Sequence, residues 1–163
     1  QIKMKLANRI TNMEAELSIR NTIARYGLAV DCGDIETAVN CHTKNAIYKI
    51  ANPNAGRGSE TQDLELHGHE AITKMLNSEI HQSLLPSCAH TVGPLVVKIK
   101  GNTAVSLGYS RVYHDSQLMR LAVNKWTMKE INGQWKIDSR ESYIVGDEKA
   151  QSLIIKGLHD TEL

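Results

Sequence analysis

Apolar residues near the start of the chain recur at intervals of three and four, which is the period of an amphipathic helix. Ile23, Tyr26 and Val30 follow this spacing, with polar residues between them. We therefore predict a helix over residues 11–30. The preceding residues 1–10 are basic and weakly patterned, and we interpret them as a tail or a short leading helix.

Turn-forming residues divide the rest of the first half into short elements. Gly33 ends the first helix, because glycine readily adopts the left-handed conformation that follows helix ends, and Asp34 can cap the next helix. Residues 52–59 predict a loop that is long enough to serve as a lid or rim. The other predicted elements of this half are a helix over 35–42, strands over 45–51 and 64–67, and a helix over 70–81.

The second half of the chain has the texture of long β-strands. The turn at Asn132-Gly133 is the strongest hairpin signal that a short sequence can give. Helices followed by a meander of antiparallel strands predict an α+β fold, with the N-terminal helices packed on one face of a curved sheet. The predicted strands cover residues 89–100, 103–115, 117–131 and 134–145, and residues 147–163 form a final helix or tail.

One strand shows which of its faces is buried. Between residues 121 and 129, lysines occupy odd positions, whereas the even positions carry Ala122, Asn124, Trp126 and Met128. Because successive side chains of a strand point to opposite faces, the even face is predicted to be buried. Asn124 is then a polar exception on an apolar face.

Composition restricts the class of protein. A chain of 163 residues fits one domain, here residues 1–163. Lys plus Arg is 19 and Asp plus Glu is 18, so the basic excess that favours a nucleic-acid or membrane partner is missing. No signal-peptide pattern and no apolar run of about 20 residues occurs. Three cysteines without a CxxC pair favour a reduced, cytoplasmic protein.

Metal and cofactor motifs are also missing from the sequence. His67 and His69 lack the spacing that places two histidine ligands on one helical face, so we interpret them as part of a polar turn. There is no phosphate-binding GK[ST] loop and no GxSxG nucleophile elbow. We expect neither a metal nor a cofactor.

Three stretches resemble the SnoaL-like cone-fold families, which are relatives of nuclear transport factor and ketosteroid isomerase. They are IRNTIARYGLAVDCGD, SCAHTVGPLVVKIKGNTAVSLGY and NKWTMKEINGQWKI. The chain is most similar to the group of scytalone dehydratase, hexachlorocyclohexane dehydrochlorinase and bile-acid dehydratase, over residues 14–144. The resemblance implies a strongly curved sheet that forms a cone-shaped pocket.

The resemblance also implies catalytic residues. Asp31 and His90 match the family's pair, in which the histidine is the general base and the aspartate orients it, a role that suits an imidazole with a carboxylate partner. His114, in the stretch SRVYHD, matches a second pocket histidine that assists the leaving group. Tyr48 matches a tyrosine that binds a substrate carbonyl through water, and Tyr26 matches one placed five residues before the aspartate.

Four further residues are assigned to substrate binding. Asn124 lies one position from an asparagine of the dehydratase pattern, next to Trp126 on the same face. Arg140 and Tyr143 are assigned because they lie on the last strand. Each residue of the proposed site also has a structural interpretation, in which Asp31 ends a helix, His90 is a core histidine and the tyrosines fill the core.

Together these features predict a cofactor-independent lyase, a dehydratase of a small hydrophobic metabolite of polyketide or steroid type. One alternative is an isomerase or cyclase of the same fold, in which Asp31 acts alone as the base. Another is a non-catalytic module that binds a ligand or serves as a structural subunit. Since the meander leaves a sheet face that needs cover, we expect a homodimer or homotrimer.

Overall fold

The computed structural model describes residues 2–53 and 62–161. Most of the predicted loop at 52–59 lies outside these residues. The helices are α1 (Ile2–Asp31), α2 (Ile35–Asn40), α3 (Gly68–Leu76), α4 (Glu79–Gln82) and α5 (Glu148–Asp160). The strands are β1 (His42–Ile50), β2 (Leu64–His67), β3 (Cys88–Lys100), β4 (Thr103–His114), β5 (Gln117–Ile131) and β6 (Gln134–Ile144).

All six strands form one open, mixed sheet in the order β2-β1-β6-β5-β4-β3. β1 and β6 run parallel, and the other neighbouring pairs are antiparallel. The predicted α+β class with a mostly antiparallel sheet is confirmed. Register shifts interrupt β1, β3, β4 and β5 where they pair with their neighbours, and such bulges bend strands and re-aim their side chains. None of the helices in the described residues combines the length and apolar character needed to cross a membrane.

Two helices differ from the prediction. Residues 2–10 are neither a tail nor a separate helix, because α1 runs without a break from Ile2. The helix predicted over 70–81 is divided after Leu76. Ser78 then starts α4 by accepting a hydrogen bond from the backbone N–H of His81 at 3.2 Å, which is the usual role of serine at an N-cap.

The main core lies between the first three helices and the inner face of the sheet. Ile19, Ile23, Tyr48, Trp126 and Met128 are among its buried residues. The even positions 122–128 of β5 are buried as predicted. The glycine of the predicted hairpin, Gly133, has a φ of 77° and follows Asn132 at 50°, as a type I′ turn requires.

The opposite face of β5 corrects the expectation from the lysine pattern. Lys125 is only 9% exposed, because α5 packs over this part of the outer face. Its Nζ forms an ion pair with Asp160 of α5 at 2.5 Å. Val123 and Leu107 pack beneath the same helix, with Ala150 and Leu153. The odd face is therefore a second packing surface rather than a wholly solvated one.

A glycine sets the approach of α1 to β3. A Cβ atom on Gly27 would lie 2.9 Å from the carbonyl oxygen of His90 and 3.3 Å from its Cβ. Both distances are shorter than ordinary van der Waals contact. Asp31 follows four residues later, about one helical turn farther along the same side of α1. The absence of a side chain at Gly27 therefore brings Asp31 within reach of His90.

We predict that Gly27→Ala destabilises the protein. Overpacking against a strand backbone costs about 1–3 kcal/mol, which exceeds the gain of up to about 1 kcal/mol from alanine's helix propensity. Gly157→Ala in α5 is the matched control, because its Cβ would meet the end of the Leu107 side chain at 2.7 Å, and a side chain can rotate. Urea unfolding measures both; equal effects would contradict the prediction.

Candidate active site

The Asp31 carboxylate holds His90 through two hydrogen bonds. Oδ1 lies 2.5 Å from Nδ1 of the imidazole, and Oδ2 accepts the backbone N–H of His90 at 2.7 Å. The two side chains are 18% and 23% exposed, so the pair is largely shielded from water. Because Nδ1 faces Asp31, Nε2 is the ring nitrogen available to a ligand.

The environment makes His90 a stronger base. Burial lowers the pKa of His90, but the hydrogen bonds and charges of Asp31 and Cys88 outweigh it and raise the pKa to about 9. The Sγ atom of Cys88 lies 3.8 Å from Nδ1. A carboxylate partner of this kind also fixes the orientation of the ring.

The same three residues form the one group in the described chain that offers three potential metal ligands. One ligand atom each from Asp31, Cys88 and His90 lies within 4.8 Å of the others. However, Asp31 and His90 bond directly to each other at 2.5 Å, and a cation between them would have to break that bond. In the present arrangement, a proton rather than a metal cation lies between Asp31 and His90.

A second polar cluster consists of Tyr26, Tyr48, Arg140 and Asn124. Arg140 donates from Nε to Oδ1 of Asn124 at 2.8 Å and from Nη1 to the hydroxyl of Tyr48. Tyr48 donates in turn to the hydroxyl of Tyr26 at 2.9 Å. Arginine can only donate, so Tyr48 accepts from Arg140. With Tyr48 donating onward to Tyr26, the O–H of Tyr26 is left as a donor at the end of this relay.

The sheet register places these groups beside one another. Tyr48 of β1, Arg140 of β6 and Trp126 of β5 are neighbours across adjacent strands. The guanidinium lies 4.9 Å from the ring centre of Tyr48 and 5.8 Å from that of Trp126. Asn124 is fully buried and donates to Ser110 at 2.6 Å. Its carbonyl oxygen is thereby aimed at Arg140.

Burial keeps Tyr26 and the adjacent His42 neutral. It raises the pKa of Tyr26 to about 12, so the phenol stays protonated. Burial also lowers the pKa of His42 to about 4. The ring of His42 packs edge-on against Tyr26, with 5.1 Å between ring centres, and its Nδ1 bonds to the carbonyl oxygen of Ala38 at 3.0 Å.

His90, Tyr26, Tyr48 and Arg140 all line one cavity of about 850 Å³ between the helices and the inner face of the sheet. A cavity of this size accommodates a small organic ligand. Most of the wall is apolar, which strengthens the few polar contacts inside it. The apolar part includes Ile50, Leu64, Leu66, Met75, Leu84 and Val112.

Five residues assigned from the sequence do not line this cavity. Asp31 lies behind His90 and reaches the cavity only through that ring. His114 ends β4, where its Nδ1 lies 3.6 Å from the carboxylate of the exposed residue Asp115. Asn124 and Trp126 lie behind Arg140 and support it. Tyr143 packs on the outer face against the residues beneath α5.

The sequence analysis missed several polar residues of the cavity wall, among them Lys74, His81 and Arg120. His81 lines the cavity, and its ring centre lies 6.3 Å from that of His90. The signal for it was Ser78, a good N-cap residue that moves His81 from the end of one helix into the first turn of another. Arg120 also lines the cavity. Arg120 lies four residues before Asn124 on β5, so extending the alternation of buried even positions to residue 120 would have predicted that it faces the cavity.

Comparison with known proteins agrees with this architecture. The SnoaL-like domain model matches residues 11–141, and the chain therefore belongs to the SnoaL-like family. An NTF2-like protein with a cystatin-like fold from Novosphingobium aromaticivorans is 27% identical, with a TM-score of 0.81, and the match covers 93% of this chain and 96% of that one. No functionally curated protein matches at a significant level.

More distant structures share the fold alone. A candidate scytalone dehydratase from N. aromaticivorans is 17% identical, with a TM-score of 0.66 and coverage of 84% of this chain and 88% of that one. A protein of unknown function from Mycobacterium tuberculosis is 16% identical, with a TM-score of 0.70 and coverage of 93% and 90%.

We predict that Asp31→Asn lowers the pKa of His90. The substitution removes the carboxylate charge, while burial continues to disfavour the imidazolium, so the pKa falls from about 9 towards or below its ordinary value of about 6.5. An NMR titration of the His90 ring measures the change. Asp115→Asn is the control, since it removes a carboxylate that faces His114 instead. An unchanged pKa of His90 in Asp31→Asn would contradict the conclusion that Asp31 raises it.

Proposed function

We propose that the protein is a cofactor-independent lyase, a dehydratase of a small and largely apolar metabolite of polyketide or steroid type. The observation that carries this proposal is the Asp31–His90 hydrogen bond of 2.5 Å at the wall of the 850 Å³ cavity. Membership of the SnoaL-like family supports it, because this family includes polyketide cyclases and dehydratases.

In the first step, His90 removes a proton from a carbon next to a carbonyl group. The C–H bond breaks, Nε2 takes the proton, and the electron pair moves to the carbonyl oxygen to form an enolate. Asp31 stabilises the resulting imidazolium through Nδ1, as in other oriented histidines. General base catalysis of this kind contributes about 10²- to 10⁴-fold in rate.

The relay from Arg140 supplies the group that stabilises the enolate. Tyr26 ends the relay with an O–H that donates to none of the described residues, and the tyrosine lines the cavity. A donor that is already held in place stabilises charge that develops in the transition state. The positive charge of Arg140 strengthens the donor through Tyr48, since neighbouring hydrogen bonds polarise one another.

In the second step, the enolate re-forms the carbonyl and expels a hydroxyl group from the adjacent carbon. The departing hydroxide needs a proton and leaves as water, which yields the conjugated enone. The ring of His81 faces the same cavity close to His90, and its protonated form would deliver this proton. The proton that His90 took from carbon then returns to solvent, and His81 takes one up. A second imidazole favours elimination over a simple isomerisation, in which His90 would return its own proton.

We predict that His90→Ala lowers kcat/KM for dehydration of cyclic β-hydroxy ketones by about 10²- to 10⁴-fold. His114→Ala is the matched control and is expected to retain activity, because His114 does not line the cavity. The appearance of the enone is followed by ultraviolet absorbance. Near-normal turnover by His90→Ala would contradict the base assignment, and equal losses in both variants would point to a general loss of structure.

We also predict that kcat/KM of the wild type rises with pH up to about 9, because His90 accepts a proton only when it is neutral and its pKa is about 9. In Asp31→Asn this rise moves to lower pH and the plateau falls, since the imidazole is less basic and no longer oriented.

Tyr26→Phe should reduce the plateau of kcat/KM by roughly 10- to 10³-fold without moving the pH profile. The pH profiles of kcat/KM for the wild type and the two variants test both His90 as the base and Tyr26 as the donor to the enolate.

A further inference from the structure

The cavity wall carries an excess of positive charge. Lys74, Arg120 and Arg140 line it together with two imidazoles, whereas no Asp or Glu occurs among its described lining residues. Within the part of the chain that the structure describes, neither arginine forms an ion pair. Charged groups withdrawn from water are costly unless an opposite charge accompanies them. This imbalance favours a ligand that brings a negative charge.

Arg140 and Arg120 differ in the groups that surround their guanidinium groups. Arg140 supports Tyr48, Asn124 and two aromatic rings, so its position serves the relay. Among the described residues, Arg120 donates only to neutral acceptors, the carbonyl oxygen of Asn52 at 2.8 Å and the hydroxyl of Ser142 at 3.3 Å. A guanidinium has five N–H donors in a planar fork, so Arg120 retains donors for a further acceptor.

The nearby groups within residues 2–53 and 62–161 leave Arg120 charged and without a compensating carboxylate. Burial lowers the pKa of Arg120 to about 10, which still leaves it protonated at neutral pH. Asp63 accepts a hydrogen bond from the backbone N–H of Asn52 at 3.1 Å and forms no ion pair with the guanidinium. Lys74, on α3, is solvent-exposed and lines the same cavity.

We propose that Arg120, assisted by Lys74, binds a carboxylate group carried by an otherwise apolar substrate. This inference rests on the proposed function, since it describes how the substrate of the same cavity is held. A fork of parallel N–H donors matches the two oxygens of a carboxylate and gives both affinity and orientation. The acid group would anchor one end of the molecule, and the carbon next to its ketone would face His90.

Two fluorescent dyes test the charge preference without turnover. The anion 8-anilinonaphthalene-1-sulfonate and the neutral N-phenyl-1-naphthylamine share one ring framework and differ in the sulfonate. We expect the wild type to bind the anion roughly 10- to 100-fold more tightly than the neutral dye, as a charge-assisted hydrogen bond predicts. Arg120→Met should abolish this preference, and Arg120→Lys should retain part of it.

Arg111→Met is the matched control. Arg111 is partly buried on the neighbouring strand β4 and also donates to a backbone carbonyl, that of Gly93 at 3.3 Å, but it does not line the cavity. The anion preference should survive in this variant. Equal binding of the two dyes, no binding of either, or a preference that persists in Arg120→Met would each overturn the proposal.

Because no reaction takes place, dye binding is independent of the base assignment. A preserved anion preference with no dehydratase activity would refute the proposed function alone. Dehydratase activity that is confined to neutral ketones, with no gain from an added carboxylate, would refute the anion site alone.

Discussion

The carboxylate of Asp31 is the contact on which the site depends. It bonds both the ring and the backbone N–H of His90, and so it joins the end of α1 to the start of β3. A negative charge in the last turn of a helix is opposed by the helix dipole, at a cost of about 0.3–1 kcal/mol, and α1 has no basic residue there to offset it. The two charge-assisted bonds to His90 compensate. A locally unfavourable residue that is compensated by a specific partner is typical of a functional site.

The other side of the cavity is organised by sheet register rather than by a helix. Tyr48, Arg140 and Trp126 are cross-strand neighbours on β1, β6 and β5. A cation on this inner face is tolerated because two of its N–H groups bond to Asn124 and to the Tyr48 hydroxyl, and because it lies against the rings of Tyr48 and Trp126. The parallel pairing of β1 with β6 is what brings Tyr48 to Arg140. The relay to Tyr26 therefore follows from the topology.

The sequence allowed the strands, the α+β class and the Asp31–His90 pairing to be predicted, because periodicity, turn residues and family motifs are local signals. What it could not show was set by tertiary contacts. Lys125 is buried because α5 covers the outer face. Met119 reaches the cavity because β5 holds an extra residue between the partners of Val112 and Tyr113, a bulge that nothing in the sequence marks. The alternation of side chains along a strand places Arg120 on the same face of β5 as Asn124. The same alternation explains why Tyr143, at an odd-numbered position of β6, faces away from Arg140.

In the proposed function, the groups for proton transfer and the group that binds the substrate's charge reside on different elements of the fold. α1 carries both Asp31, which orients the base, and Tyr26, which ends the donor relay, and Gly27 between them fixes the distance of this helix from β3. A displacement of α1 would consequently disturb the base and the donor together. Arg120 lies on β5, beside the bulge, and its hydrogen bonds to the described residues go to neither His90 nor Tyr26. Under the proposed function, substitutions around Arg120 would therefore change which molecule is held while leaving proton transfer intact, and one Asp–His pair would serve substrates of different charge.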